Sequence, residues 1–252
     1  MISEEELERR LERARQNREL EPAFFRSLLD AVVYAHAPVS DDHPRLRLIQ
    51  FRHPGGFYAL PFFTSEAKAM FAARSAAQVV KLTGRELFVG TPGATFMLNP
   101  NDGGCVLYPE EIVALLKSGT VARVEQFDLE GERPFLVMEQ ANPPSWLLRM
   151  LLALYAGLPF VEVAYLLEVA RPEHPDQRTF LIAIGVASEH AERAARATIT
   201  ALQSTATQAD TPIDLTSFDP AQDPPDYLRH PGVQRFFGPR RSWRGPGSDT
   251  HQ

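Results

Sequence analysis

One cysteine, Cys105, is all the thiol chemistry this 252-residue chain carries. A single thiol closes no internal disulfide and supplies no cysteine-rich zinc site, and it suits a reducing compartment. Basic residues are also short: 26 Lys and Arg against 32 Asp and Glu leave a net charge of −6. The basic face or stripe of a nucleic-acid binder is therefore missing. Long apolar runs are absent too. The most apolar region, Trp146 to Ala170, is interrupted by Arg149, Gly157, Pro159, Glu162 and Glu168, short of the roughly 20 apolar residues a membrane helix needs. The start, MISEEELERRLERARQNREL, is too charged for a secretory signal. The expectation is a cytoplasmic protein that meets neither membrane nor nucleic acid.

Motifs that carry chemistry are missing as well. There is no Gly-x-Ser-x-Gly elbow, no His-Glu-x-x-His pair and no dinucleotide glycine fingerprint. Glu162 and Glu168 share a strand face but stand about 20 Å apart at roughly 3.3 Å per residue, too far for a glycosidase pair. Asp41, Asp42 and His43 read as a solvated loop rather than a metal site. Cys105 follows two glycines with no activating His, Lys or Arg beside it, and reads as an inert thiol. No catalytic residue, metal or cofactor is expected.

What the chain does have is an α+β rhythm in two parts. Residues 1–20 hold a charged helix, with Ser3 and Glu6 at capping-box spacing, i,i+4 pairs Glu5–Arg9 and Glu6–Arg10, and only a thin stripe of Leu7, Leu11 and Ala14. It reads as a solvated helix. Residues 21–118 read as a first α+β domain. A helix at Pro22–Asp30 and a strand at Ala31–His36 precede a hairpin, Leu46–Phe51 and Phe57–Phe63, turned by RHPGG. Both faces of the second strand are apolar, so it should be covered on both sides, and Pro61 should stand at an edge or strand end. Thr64 or Ser65 then caps a helix whose Ala67, Met70 and Phe71 form the expected buried stripe. Strands at Val79–Leu82 and Phe96–Leu98, a helical turn at Arg85–Val89, and a helix opened by Pro109 and stopped by Gly119 complete the domain.

The polar stretch 119–133 reads as a linker. Residues 134–218 then run in the order βαββαβ, which points to a second α/β sandwich of ferredoxin-like type. Its helix from Asn142 is apolar on most sides. On the next strand Val161, Val163, Tyr165, Leu167 and Val169 should face the helices, together with Phe180, Ile182, Ile184 and Val186 of the following one. That would leave Glu162, Ala164, Leu166 and Glu168 on a free face available to a partner. From 219 to 252 Pro and Gly dominate. Tyr227, Val233, Phe236 and Phe237 could pin this tail, while its basic end around Trp243 reads as a disordered terminus.

The stretches "FYALPFFTSEAKAMF", "ATFMLNPNDGG" and "YPEEIVALL" resemble the N-terminal domain of the SseB family, the enhanced serine sensitivity proteins. "NPPSWLLRMLLALYAGLPFVEVAYLLEVA", "RTFLIAIGV" and "PGVQRFFG" resemble that family's C-terminal domain. The resemblance spans roughly residues 21–238 and implies a link to serine tolerance or amino-acid metabolism. It implies no catalytic mechanism, and the Arg-rich end beyond Gly238 departs from it. Three readings stand. The leading one is a non-enzymatic protein that binds another protein, or itself, through Trp146, Glu162, Leu166, Glu168 and Trp243. The second is an amino-acid sensor with Thr64, Asn99 and Asn101 lining a polar notch beside the aromatics. The third is an enzyme acting through Cys105.

Overall fold

A computed structural model describes residues 2–40, 43, 45–74, 77–119, 121, 135–138, 143–205, 211–230 and 233–238. Helices and mixed sheets alternate along the chain, as the α+β reading expects. Its internal contacts divide into two units, Met1–Glu125 with Arg196–Ala206, and Gln126–Ala195 with Thr207–Gln252.

The first unit begins with α1 (Glu4–Gln16), capped by Ser3, whose hydroxyl accepts from the Glu6 backbone. The thin stripe of this charged helix is buried: Leu7 is fully enclosed, and Leu11 and Ala14 nearly so. Burying a leucine stabilises by about 1.5–3 kcal/mol, whereas an exposed i,i+4 ion pair gives about 0.3–0.5. The few apolar residues therefore decide where the helix goes, and the solvated-helix expectation is corrected. A short 3₁₀ turn leads into α2 (Glu21–Asp30), which buries Phe24, Phe25, Leu28 and Leu29.

Six strands form the sheet of this unit: β1 (Val32–Ala37), β2 (Phe51–Arg52), β3 (Tyr58–Phe63), β4 (Gln78–Thr83), β5 (Phe96–Leu98) and β6 (Cys105–Leu107). The order is β4-β1-β3-β5-β6, with β2 added on β3. All neighbours are antiparallel except β3 and β5, which run parallel. Three more helices complete it, α3 (Glu66–Ala73), α4 (Gly84–Gly90) and α5 (Pro109–Ser118). Leu7, Leu28, Phe88, Ile112 and Leu115 of α1, α2, α4 and α5 pack with Val33, Phe62, Phe96 and Leu98 of the strands. By strand alternation, Tyr34 and Phe63 point the other way and meet Ala69 of α3. Every residue from Ala59 to Phe63 is buried, as expected for a strand covered on both sides.

Pro61 is not at an edge. Leu60 donates to Thr95 on the β5 side, so by alternation the nitrogen of residue 61 faces away from β5. On that side β3 pairs with β2 at residues 58 and 59 and with β1 at 62 and 63. Pro61 occupies the break between the two pairings, where no ladder donor is required.

The second unit contains β7 (Leu136–Val137), α6 (Ser145–Ala156), β8 (Val163–Arg171), β9 (His174–Gly185), the start of α7 (Ala191–Ser204), β10 (Ile213–Phe218) and β11 (Gln234–Phe237). The order βαββαβ is present, but among the described residues the ferredoxin-like sheet is not. That fold would place the first strand between the third and fourth. Here β9 and β10 are parallel neighbours, the sheet runs β10-β9-β8-β11, and the two-residue β7 pairs antiparallel with β8.

The hairpin register also corrects the expected faces. Leu167 stands opposite Leu181 and Leu166 opposite Ile182. The odd residues of β8 therefore share a face with the odd residues of β9, where they meet Phe135, Val137, Phe218, Tyr227, Leu228 and Val233. The opposite face, with Ala164, Leu166, Glu168, Ile182 and Ile184, is buried as well. The tail is pinned as the aromatics suggest. β11 pairs with β8, and Phe236 and Phe237 lie 6.1 and 5.7 Å from the Tyr155 ring by centroids. Gly238 ends it with φ 98°, and a Cβ there would lie 2.3 Å from the Glu162 carbonyl oxygen.

Candidate functional site

The parallel pair β3 and β5 ends at one level, with Phe62 opposite Leu98. The residues that follow, Thr64 and Asn99, therefore emerge together. The Asn99 backbone donates to the Phe62 carbonyl at 2.9 Å. Its carboxamide accepts from the Thr64 N–H at 3.1 Å and donates to Thr64 Oγ1 at 2.8 Å. Both residues are fully buried, so these bonds satisfy groups that water cannot reach. Asn99 has φ 44°, a conformation asparagine tolerates better than most residues. Its carbonyl accepts from the Asp102 N–H at 2.9 Å, closing the turn that presents Asn101 and Asp102.

On the other side of the site Ser65 caps α3, its hydroxyl accepting from Lys68 N–H at 3.4 Å. Lys68 Nζ reaches Glu8 Oε2 at 2.5 Å and Asp102 Oδ2 at 2.8 Å. The Thr64 hydroxyl donates to the second Glu8 oxygen. Arg15 donates to the Asp102 backbone oxygen and lies 3.5 Å from its carboxylate. Hydrogen bonding from Lys68, with Arg15 nearby, holds the Asp102 carboxyl below the ordinary carboxylate range. Burial pulls Lys68 down, but the bonds to Asp102 and Glu8 outweigh it and raise its affinity for a proton. Two cations and two anions thus pair off around one turn and tie α1 to it.

Beside this network lies a cavity of about 270 Å³. Phe63, Ala67 and Phe71 give it apolar walls, and Lys68, Asn99, Asn101 and Asp102 line the rest. The buried stripe of α3 is Ala69 and Ala73, not Ala67, Met70 and Phe71. Tyr34 and Phe63 already fill the space beneath the helix, so only alanine fits against them. Met70 is 57% exposed and Phe71 74%. Both are large apolar side chains on the surface, and Phe71 also lines the open cavity.

Residues 7–114 match the SseB protein N-terminal domain. Over 185 residues the chain is 29% identical to Protein SseB of Escherichia coli strain K12 and to Protein SseB of Shigella flexneri, covering 71% of this chain and 71% of each relative. This chain carries an SseB N-terminal domain. The cavity, the Thr64–Asn99 pair and α3 all lie within the matched residues of the SseB domain, and the alignment to the two relatives is longer than that segment. No solved structure matches the chain at a significant level.

The first unit, which contains the SseB domain, holds a second polar cluster. Glu111 is fully buried; its carboxylate accepts from the Tyr108 N–H at 2.9 Å and lies 2.7 Å from Arg196 Nη2. Arg196 also donates to the Val106 carbonyl at 2.9 Å and lies 5.1 Å from the Tyr108 ring centroid. Burial raises the Glu111 pKa in spite of Arg196. Cys105, next in the strand, has its thiol pushed up to about 11 by burial. It is a thiol, not a thiolate, at neutral pH. Among the described residues, no group of His, Cys, Asp and Glu could hold a metal ion, and no helix is long and apolar enough to cross a membrane.

The structure brings Thr64 and Asn99 together and places Asn101 on the same cavity as Asn99. Thr64 points into the Glu8 network and does not line it. The other sequence candidates are dispersed. Trp146 is half-buried on α6, Glu162 is exposed, and Leu166 and Glu168 are buried, the latter paired with Arg178 at 2.9 Å. Trp243, Asn142, Asp41, Asp42 and all of the 119–133 linker except Gly119 and Val121 lie outside the described residues. Sequence reasoning missed Glu8, Arg15, Lys68 and Asp102. Glu8 pairs with Lys68 across 60 residues and Arg15 with the Asp102 carbonyl across 87, and no local pattern announces such pairs.

Proposed function

We propose that this chain is a non-catalytic, cytoplasmic protein that acts by binding another protein, and that the exposed face of α3 in its SseB domain is the docking surface. The observation that carries this reading is the exposure of Phe71 on the cavity wall and of its helix neighbour Met70. Exposed large apolar residues are depleted from surfaces that meet only water when they cluster with a concavity, and aromatic and Met side chains are enriched at protein contacts. The charged groups nearby, Lys68, Asp102, Glu8 and Arg15, are spent on each other, which favours binding over bond-making chemistry. A link to serine tolerance rests on the family resemblance alone.

Affinity capture with the double variant Met70→Glu, Phe71→Glu tests the reading. Both positions are exposed, so each substitution costs about 0.5 kcal/mol or less. A stoichiometric partner held by the native chain and lost by the variant supports docking here. A partner held equally by both chains rejects it.

A free amino acid is the second reading, favoured by the cavity with its two asparagines. Thermal-shift measurements with the free amino acids decide it, since saturating ligand raises stability by mass action.

A further inference from the structure

The cavity beside α3 has a size, a wall chemistry and a rim that together select its occupant. We propose that it receives one uncharged apolar side chain from an extended segment of the partner, and that the Asn101 carboxamide pairs with that segment's backbone. The inference rests on the docking reading above and adds the chemistry of what docks.

Size comes first. Cofactor and drug-sized ligands take pockets of about 300–1,000 Å³, and this cavity holds about 270 Å³. One side chain fits that space better than a dinucleotide or a folded element. The walls come next. The Phe63 ring is 2% exposed and forms a fixed floor, while Ala67 and the Phe71 ring form the open side. An apolar group entering here removes apolar surface from water on both partners.

Charge complementarity then excludes ionic occupants. Lys68 is engaged by Glu8 and Asp102, and Arg15 lies against Asp102. An anion would have to compete with two carboxylates for Lys68, and a cation would have to displace Lys68 from Asp102. An uncharged side chain leaves all of these pairs intact. A zwitterionic amino acid meets the same obstacle at both ends.

Asn101 supplies the remaining recognition. Asn99 has spent its carboxamide on Thr64. Asn101, two residues on, is exposed and makes no hydrogen bond within the described residues. A carboxamide offers an acceptor and donors on one planar group, which matches the C=O and N–H of a peptide unit passing the mouth of the cavity.

The test uses the ¹⁵N-labelled full chain and defined probes that carry one side chain between two peptide bonds. N-acetyl-leucine amide and N-acetyl-phenylalanine amide should shift the amide resonances of Ala67, Phe71, Asn101 and Asp102 saturably. N-acetyl-glutamate amide and N-acetyl-lysine amide should bind at least about tenfold more weakly, and free leucine no more tightly than its capped form. Asn101→Ala should weaken the apolar probes about fivefold, the worth of one hydrogen bond. Ala67→Trp, at an exposed helix position, should abolish binding by filling the opening. Absence of saturable shifts, equal binding of the charged probes, or tighter binding of free leucine overturns the proposal. The two readings separate in affinity capture. If Ala67→Trp keeps a partner that Met70→Glu, Phe71→Glu loses, this inference falls and docking stands; if all variants keep it, docking falls too.

Discussion

The Asn99 carboxamide grips Thr64 at two points, donating to its hydroxyl oxygen at 2.8 Å and accepting from its backbone N–H at 3.1 Å. This joins the ends of two parallel strands at the level where α3 begins and the 99–102 turn opens. The cavity owes its shape to that junction, because α3 forms one side of it and the turn the other.

Asn99→Ala should therefore destabilise the first unit. It leaves the buried Thr64 N–H without its partner, which costs about 1–3 kcal/mol, and puts alanine in a left-handed conformation, which adds about 1–2. Urea unfolding should show a loss of about 2–5 kcal/mol in total. A loss under about 0.5 kcal/mol would mean that the clamp is not structural.

Two glycines of one helix should respond oppositely to alanine. A Cβ at Gly84 would lie 2.2 Å from the Leu28 carbonyl oxygen, whereas one at Gly90 meets nothing within 4 Å. Gly84→Ala should lower stability by about 1–3 kcal/mol through overpacking. Gly90→Ala should be neutral or gain up to about 1 kcal/mol through the unfolded chain. Thermal denaturation of the two variants side by side decides this.

The Lys68–Asp102 pair gives the turn a pH dependence of known sign. The Asp102 carboxyl titrates below its ordinary value of 3.8 in the folded chain. Its contribution is present above pH 3.8 and is lost as pH falls through the lower folded value. Lys68 is raised from 10.5, so its contribution is complete below that pH and is lost as pH rises through the higher folded value. NMR titration should find the Asp102 midpoint below 3.8, and Lys68→Met should move it upward. An unmoved midpoint in the variant would detach Asp102 from Lys68.

Much of the first unit was legible because its signals are local. Pro109 opening α5 and Gly119 ending it at φ 70° each depend on a few adjacent residues, and so does the RHPGG turn, although the strand before it is only Phe51–Arg52 rather than the expected Leu46–Phe51. The failures were non-local. Hydrophobicity alone turns Met70 and Phe71 inward, but Tyr34, far away in sequence, joins Phe63 beneath the helix and leaves room only for Ala69. β8 and β9 are apolar on both faces, so pattern cannot choose their register, and a one-residue slip exchanges the faces. Thr64 and Asn99 were visible as polar residues closing apolar strands. The Glu8 to Lys68 bond, spanning 60 residues, was not.

Cys105 should behave as a spectator. With its thiol raised to about 11, iodoacetamide alkylation of the folded chain at pH 7.5 should be much slower than that of a free thiol, and should accelerate as pH rises toward that value. Fast modification at neutral pH, saturating with one equivalent, would restore the enzyme reading.

Docking on α3 is the claim on which the functional account turns, and position-specific photo-crosslinking in cells measures it most directly. A benzophenone side chain placed at Phe71 should yield one discrete adduct with another protein, while the same group at Val113, an exposed position on α5, should not. No adduct at 71, or the same adducts at both positions, would contradict it.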